Sequence, residues 1–119
     1  GIANPEMIEV GLNVIEQVSL TGYNVVIDFV NHKYATRKQF QDKAQELNVE
    51  YHVIFIDTPK DERLRRRELN VQEGDKPGRR VIGLEQLQQF EDEFELPQEN
   101  EPTIVLKTQS DIDELLASL

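Results

Sequence analysis

The 119-residue chain carries 23 acidic against 13 basic side chains, a formal net charge of −10, and 38% apolar residues, which suits one domain with a modest core. That acidity argues against general nucleic-acid binding and against an anionic membrane surface, both of which call for a basic face. The absence of cysteine excludes disulfide scaffolds, zinc–thiolate sites and thiol nucleophiles, and with neither a membrane-length apolar run nor a basic-then-apolar start the expectation is a soluble cytoplasmic protein.

Asn4-Pro5-Glu6 reads as a helix start, with a capping side chain, proline at the first helical position and an acid near the positive helix end. Met7, Ile8, Leu12, Val14, Ile15 and Val18 follow at helical spacing, and Gly22 closes the helix. Val25-Val26-Ile27 is a short, continuous apolar run ending at Asp28, which predicts a strand covered on both faces. Thr36 and Gln39 form a capping-box pattern ahead of Phe40, Ala44 and Leu47, a second helix.

Val53 to Ile56 is a second apolar strand, ending at Asp57, and Thr58-Pro59 opens a polar, basic helix over about residues 59–70. Residues 71–83 hold Gly74, Pro77, Gly78 and Gly83, which predicts a mobile, lid-like loop. Leu84, Leu87, Phe90 and Phe94 mark an amphipathic helix, and an acidic connection follows from Glu95 to Pro102. Ile104 to Leu106 is a third strand, and Ser110 with Asp113 caps a last helix. Strands alternating with helices imply crossovers and a parallel sheet: an α/β fold, a three-layer parallel sheet with flanking helices, as one domain over residues 1–119.

Ligands of open parallel sheets bind beyond the carboxyl ends of the strands. Asp28 and Asp57 both close strands there, and Asn31, His32 and Arg37 lie just past the first. A carboxylate so placed can hold Mg2+ through water or orient a polar substrate; it can equally be a turn or cap acid, and Asp57-Thr58-Pro59 makes a good strand-to-helix turn. The segment from Asp61 to Arg80 holds most of the arginines of an acidic protein. Their planar forks suit phosphate, and a glycine-rich loop could close them over a phosphate tail. The plainer alternative is a solvated helix face with pairs such as Glu62–Arg66. His32 and His52 show no ligand spacing, and His52 reads as structural.

In order along the chain, "TGYNVVIDFVNH", "ATRKQF", "VIFIDTPKDERLRRR", "LEQLQQFEDEFELP" and "TIVLKTQSDIDELL" resemble the later part of P-loop nucleoside-triphosphate-binding kinases of the zeta-toxin-like group. The resemblance implies a partial P-loop kinase-like fold and a parent protein that is an ATP-dependent phosphotransferase, with ATP and Mg2+ as ligands and an unnamed phosphate acceptor. It implies Asp28 as the acid at the magnesium or substrate end of its strand, Asn31 and Arg37 on the acceptor side, and Arg63, Arg66, Arg67, Arg79 and Arg80 as a lid that neutralises phosphoryl charge, Arg66 and Arg67 acting on the transferring group. Val30 stands where the family usually has threonine. No G-x-x-x-x-G-K-[ST] occurs, so the phosphate-wrapping strand and loop are missing; the family places that strand between the Val25 and Ile54 runs. The implication is a C-terminal portion, inactive by itself, whose open strand edges invite homodimerisation.

The alternative from another class is a non-catalytic α/β regulatory or interaction module, in which Asp28 and the arginines recognise a partner or a phosphorylated ligand. Adjacent, intact strand pairing in this chain favours that alternative.

Overall fold

The computed structural model describes residues 4–119; the first three residues of the expected domain lie outside the described residues. It is a mixed α/β arrangement with the order α1 (Pro5–Ser19), α2 (Tyr34–Glu46), β1 (Val53–Ile56), α3 (Lys60–Glu73), α4 (Leu84–Glu93), β2 (Thr103–Leu106) and α5 (Gln109–Ser118). β1 and β2 pair directly and in parallel, with Val53 opposite Thr103 and Ile56 opposite Leu106. The ladder extends at both ends, where the Val53 amide donates to the Pro102 carbonyl at 2.7 Å and the Asp57 amide to the Leu106 carbonyl at 2.9 Å.

The expected first strand is absent from the sheet among the described residues. Val25 to Ile27 lies in a segment without regular secondary structure and joins no ladder. Its burial alternates residue by residue from Val25 to Val30, so one face is covered where the apolar run predicted two. Strand identity needs a neighbour's N–H and C=O groups as well as an apolar run. Neither β1 nor β2 offers them, and among the described residues the run is held by its inward side chains. Val25, Ile27 and Phe29 pack on the cluster of Ile8, Ile15 and Phe40, with Leu12, Leu47 and Tyr51. Gly11 lets α1 approach this closely, since a Cβ there would lie 2.8 Å from the Phe29 ring.

Helix starts follow backbone satisfaction more than motif spelling. Asn4 caps α1 as expected, its Oδ1 accepting the Glu6 amide at 2.9 Å. α2 begins at Tyr34, ahead of the Thr36 box, with Lys33 as an N-cap that supplies no side-chain bond. The Lys33 carbonyl already accepts the Arg37 amide, and the Arg37 side chain fixes that turn from inside. α5 is capped by Thr108 rather than Ser110. The Thr108 hydroxyl accepts the Asp111 amide at 3.2 Å. The Asp111 carboxylate accepts the amides of Lys107 and Thr108 at 2.8 and 3.1 Å, satisfying several orphan donors at once.

α3 runs on to Glu73, so residues 71–73 of the expected loop are helical; Gly74, at φ +74°, ends it in a conformation that L side chains rarely adopt. The rest of that connection folds back on itself through the Lys76–Arg79 bridge, and Gly83 caps α4. Phe94, just past α4, stacks on Phe55 of β1 with ring centroids 5.8 Å apart, which fastens the crossover to the sheet. No helix among the described residues is long and apolar enough to cross a membrane.

Candidate functional site

The carboxyl ends of the extended runs carry the two acids singled out from the sequence. Asp28 and Asp57 are both exposed, and neither carboxylate makes a hydrogen bond or ion pair among the described residues. Asp28 is brought against none of the arginines. A lone, free carboxylate fits Mg2+, which usually keeps several waters and takes only one or two protein acids beside substrate phosphates. Among the described residues no group of three or more His, Cys, Asp or Glu side chains assembles to hold a metal.

Asn31 and Arg37 do meet, and the contact is internal. Arg37 is buried and its fork faces Glu101, with Nε donating to Oε1 at 2.8 Å and Nη2 to Oε2 at 3.2 Å. Arg37 also donates to the carbonyls of Asn31 and Leu96 at 3.0 and 3.3 Å, while its own carbonyl accepts the Tyr51 hydroxyl at 3.2 Å. The Glu101 side chain is wholly buried. Burial alone would push its carboxyl up; the Arg37 fork and the Gln98 amide, at 2.7 Å, outweigh that and hold it below the usual range. Arg37 therefore ties the loop after the Asp28 segment to the stretch leading into β2. Asn31 Oδ1, buried beside it, has no partner among the described residues.

The neighbouring His32 is also buried. Its Nε2 lies 3.1 Å from Glu93 Oε2, and its ring stands edge-on to Phe90 at 5.4 Å. Its carbonyl accepts the Glu95 amide at 2.8 Å. Hydrogen bonds from Gln89 and His32 hold the Glu93 carboxyl below its usual range. Sequence reading missed Glu93 and Glu101, which sit in an acidic helix end and an acidic connection with no local signal of burial.

The arginine-rich crossover starts at the carboxyl end of β1, and most of its cations have acids within reach. Arg63 donates to the Thr58 carbonyl at 3.1 Å and pairs with Glu91, joining α3 to α4. Arg65 and Arg66 share Glu62, at 2.7 and 2.9 Å, as the plainer helix-face reading expected. The two guanidiniums hold that carboxyl down to about 2. Arg67 donates to the Ile82 carbonyl at 2.9 Å, fastening the far side of the loop to α3. Arg79 pairs with Glu73 at 3.0 Å, and Arg80 is exposed and makes no ion pair among the described residues. An open hollow of about 320 Å³ lies elsewhere, at the amino ends of β1 and β2, lined by Gln41, Ala44, Tyr51, His52 and Pro102.

Compared with models of known families, with curated proteins and with solved structures, the chain finds no match.

Proposed function

We propose that this chain is the acceptor-and-lid part of an ATP-dependent phosphotransferase with a partial P-loop kinase-like sheet, whose phosphate-wrapping strand and loop lie outside these 119 residues. The observation that carries the reading is the crossover. α3, with its arginine cluster, leaves the carboxyl end of β1. The Asp28 run joins no ladder among the described residues. A sheet lacking one strand between the Asp28 run and β1 would have these properties.

In this reading Asp28 would hold Mg2+, which would supply charge neutralisation of the nucleotide phosphates. Asn31 offers its side chain to the acceptor, and Arg37 positions that loop from within. Arg66, Arg67 and Arg80, with Arg63 and Arg79 behind them, bring positive charge to the transferring group once phosphate competes with Glu62 and Glu73. The test is transfer of labelled γ-phosphate from ATP by the longer protein that contains this chain. Asp28→Asn lowers kcat by about 100-fold or more; unchanged turnover and unchanged magnesium dependence would refute the role of Asp28.

One set of observations favours the second reading, a non-catalytic interaction module. The β1–β2 pair is intact, and Arg65, Arg66 and Arg79 are already neutralised by the chain's own acids. Absence of both nucleotide binding and turnover in the longer protein selects it.

A further inference from the structure

The open hollow of about 320 Å³ lies at the amino ends of β1 and β2, on the edge of the sheet opposite to Asp57. Its walls are fixed by hydrogen bonds. Gln41, Ala44 and Gln45 recur at intervals of three and four residues along α2 and share one helix face. α2 then closes in a tight turn, in which Asn48 takes φ +55° and the Val49 amide donates back to the Ala44 carbonyl at 3.0 Å. Residues 49–52 thereby face that helix across the hollow. Tyr51 is pinned by its hydroxyl, which donates to the Arg37 carbonyl at 3.2 Å. Pro102 stands on the far side, its carbonyl accepting the Val53 amide at 2.7 Å, and Gln41 Nε2 reaches the neighbouring Asn100 carbonyl at 2.8 Å. A concave surface formed before its ligand arrives loses little to ordering when it binds.

The lining is one-sided in its chemistry. Buried Ala44, with Val49, Tyr51 and Pro102, makes it apolar within. With Nε2 already engaged, Gln41 has its amide oxygen left as an acceptor. Glu50, its side chain 84% exposed, stands at the rim. One of its oxygens lies 2.7 Å from His52 Nε2, and the other has no partner among the described residues. No lysine or arginine lines the hollow, and the whole chain is acidic, with a net charge of −10. An apolar hollow with a free carboxylate oxygen and an amide oxygen at its edge favours a ligand that is apolar in body and cationic at one end.

We propose that this hollow binds a small organic cation, a single ring or branched apolar group bearing an amidinium or ammonium. The size follows from the volume, which is at the low end of the roughly 300–1,000 Å³ of ligand sites. The planar fork of an amidinium matches a carboxylate as a guanidinium does, and Glu50 is the group that receives it. The inference goes beyond the phosphotransferase reading and does not depend on it, because that chemistry belongs to the opposite edge of the sheet.

The experiment uses the 119-residue chain and three probes of one shape: benzamidine, neutral benzamide and anionic benzoate. Binding is followed by chemical shift changes of the backbone amides in two-dimensional NMR. Benzamidine moves the amides of Ala44, Val49, Tyr51 and His52, with a Kd of about 1–10 mM, as expected for so few atoms. It binds about three- to fivefold more tightly than benzamide, the range of an exposed ion pair, and benzoate binds more weakly than either. Glu50→Gln, a change at an exposed side chain, brings benzamidine to the level of benzamide. Benzamide binding is unchanged in that variant, which shows the hollow intact. Glu46→Gln removes an exposed acid of α2 that does not line the hollow, and it leaves the ranking as it was. Equal binding of the three probes would overturn the inference, as would shift changes at Asp28 and Asp57 instead of at the hollow. So would a loss in Glu46→Gln as large as in Glu50→Gln, which would mean a general attraction of cations to an acidic chain.

Discussion

The Arg37–Glu101 pair is the buried electrostatic joint of the molecule, and Glu101→Gln isolates its charge. The amide keeps the shape and one acceptor for Arg37 Nε, but it leaves a guanidinium in a site where the two side chains are 5% and 0% exposed. Removing one partner of a buried pair costs about 3–5 kcal/mol, and the retained acceptor puts this change at the lower end, about 3 kcal/mol. With a urea slope of about 2 kcal/mol/M, the unfolding midpoint falls by about 1.5 M. The double variant Arg37→Met, Glu101→Leu removes both charges and recovers most of the loss, giving a coupling of about 2 kcal/mol or more. Urea unfolding followed by far-UV circular dichroism reads both. The exposed Lys38–Asp42 pair is the control, because solvent screens such a pair and its removal costs little. If Glu101→Gln costs no more than that control pair, Glu101 is solvated and the joint does not exist as described.

Other outcomes follow from the same geometry. Glu101, Glu93, Glu73 and Glu62 all have folded-state pKa values below their unfolded ones. Their stabilisation is complete above the unfolded carboxylate value of about 4.3 and is lost as pH falls through the lower folded values, for Glu62 about 2. In about 0.3 M salt, which screens general repulsion, the urea midpoint declines below about pH 4; a flat or rising midpoint there would be inconsistent with these pairs. Gly11→Ala destabilises by about 1–2 kcal/mol despite alanine's better helix propensity, because its Cβ meets the Phe29 and Phe40 rings; a gain in stability would mean that the Phe29 segment retreats freely. Thr108→Ala costs about 1 kcal/mol and Ser110→Ala next to nothing, and thermal unfolding of the two variants decides the register of the cap.

The two paired strands were legible because each is a β-branched apolar run bounded by turn residues, and the amphipathic helices were legible from their spacing. The Val25 run carries the same signal and forms no strand. Apolar sequence reports what a segment can bury, not whether a neighbour stands beside it. Cap positions slipped by three residues at Thr36 and by two at Ser110 because a nearby carboxylate or carbonyl can satisfy the same orphan groups. The site residues divide in a similar way. Pairs within one helical turn, such as Glu62 with Arg66, are visible in sequence. The Arg37–Glu101 and Arg63–Glu91 pairs join distant stretches, and only the fold brings them together. Asp28 and Asp57 were found by position at the ends of apolar runs; Asp57 does follow a strand, Asp28 does not, and both are exposed.

The parallel pairing of β1 with β2 also bears on how the chain reaches this state. Val53 meets Thr103 only after the two helices and the loop between them have been gathered in. Closing that span of about 50 residues costs about 2 kcal/mol more entropy than closing a four-residue hairpin loop. Helices form in about a microsecond, whereas non-local strand pairing is slow. The sheet is therefore the last element to assemble, and until it does, Val53 to Ile56 waits as an uncovered apolar strand. During synthesis β1 emerges well before its partner, and the chain's net charge of −10 is a repulsion that opposes pairing with neighbouring copies in the interval.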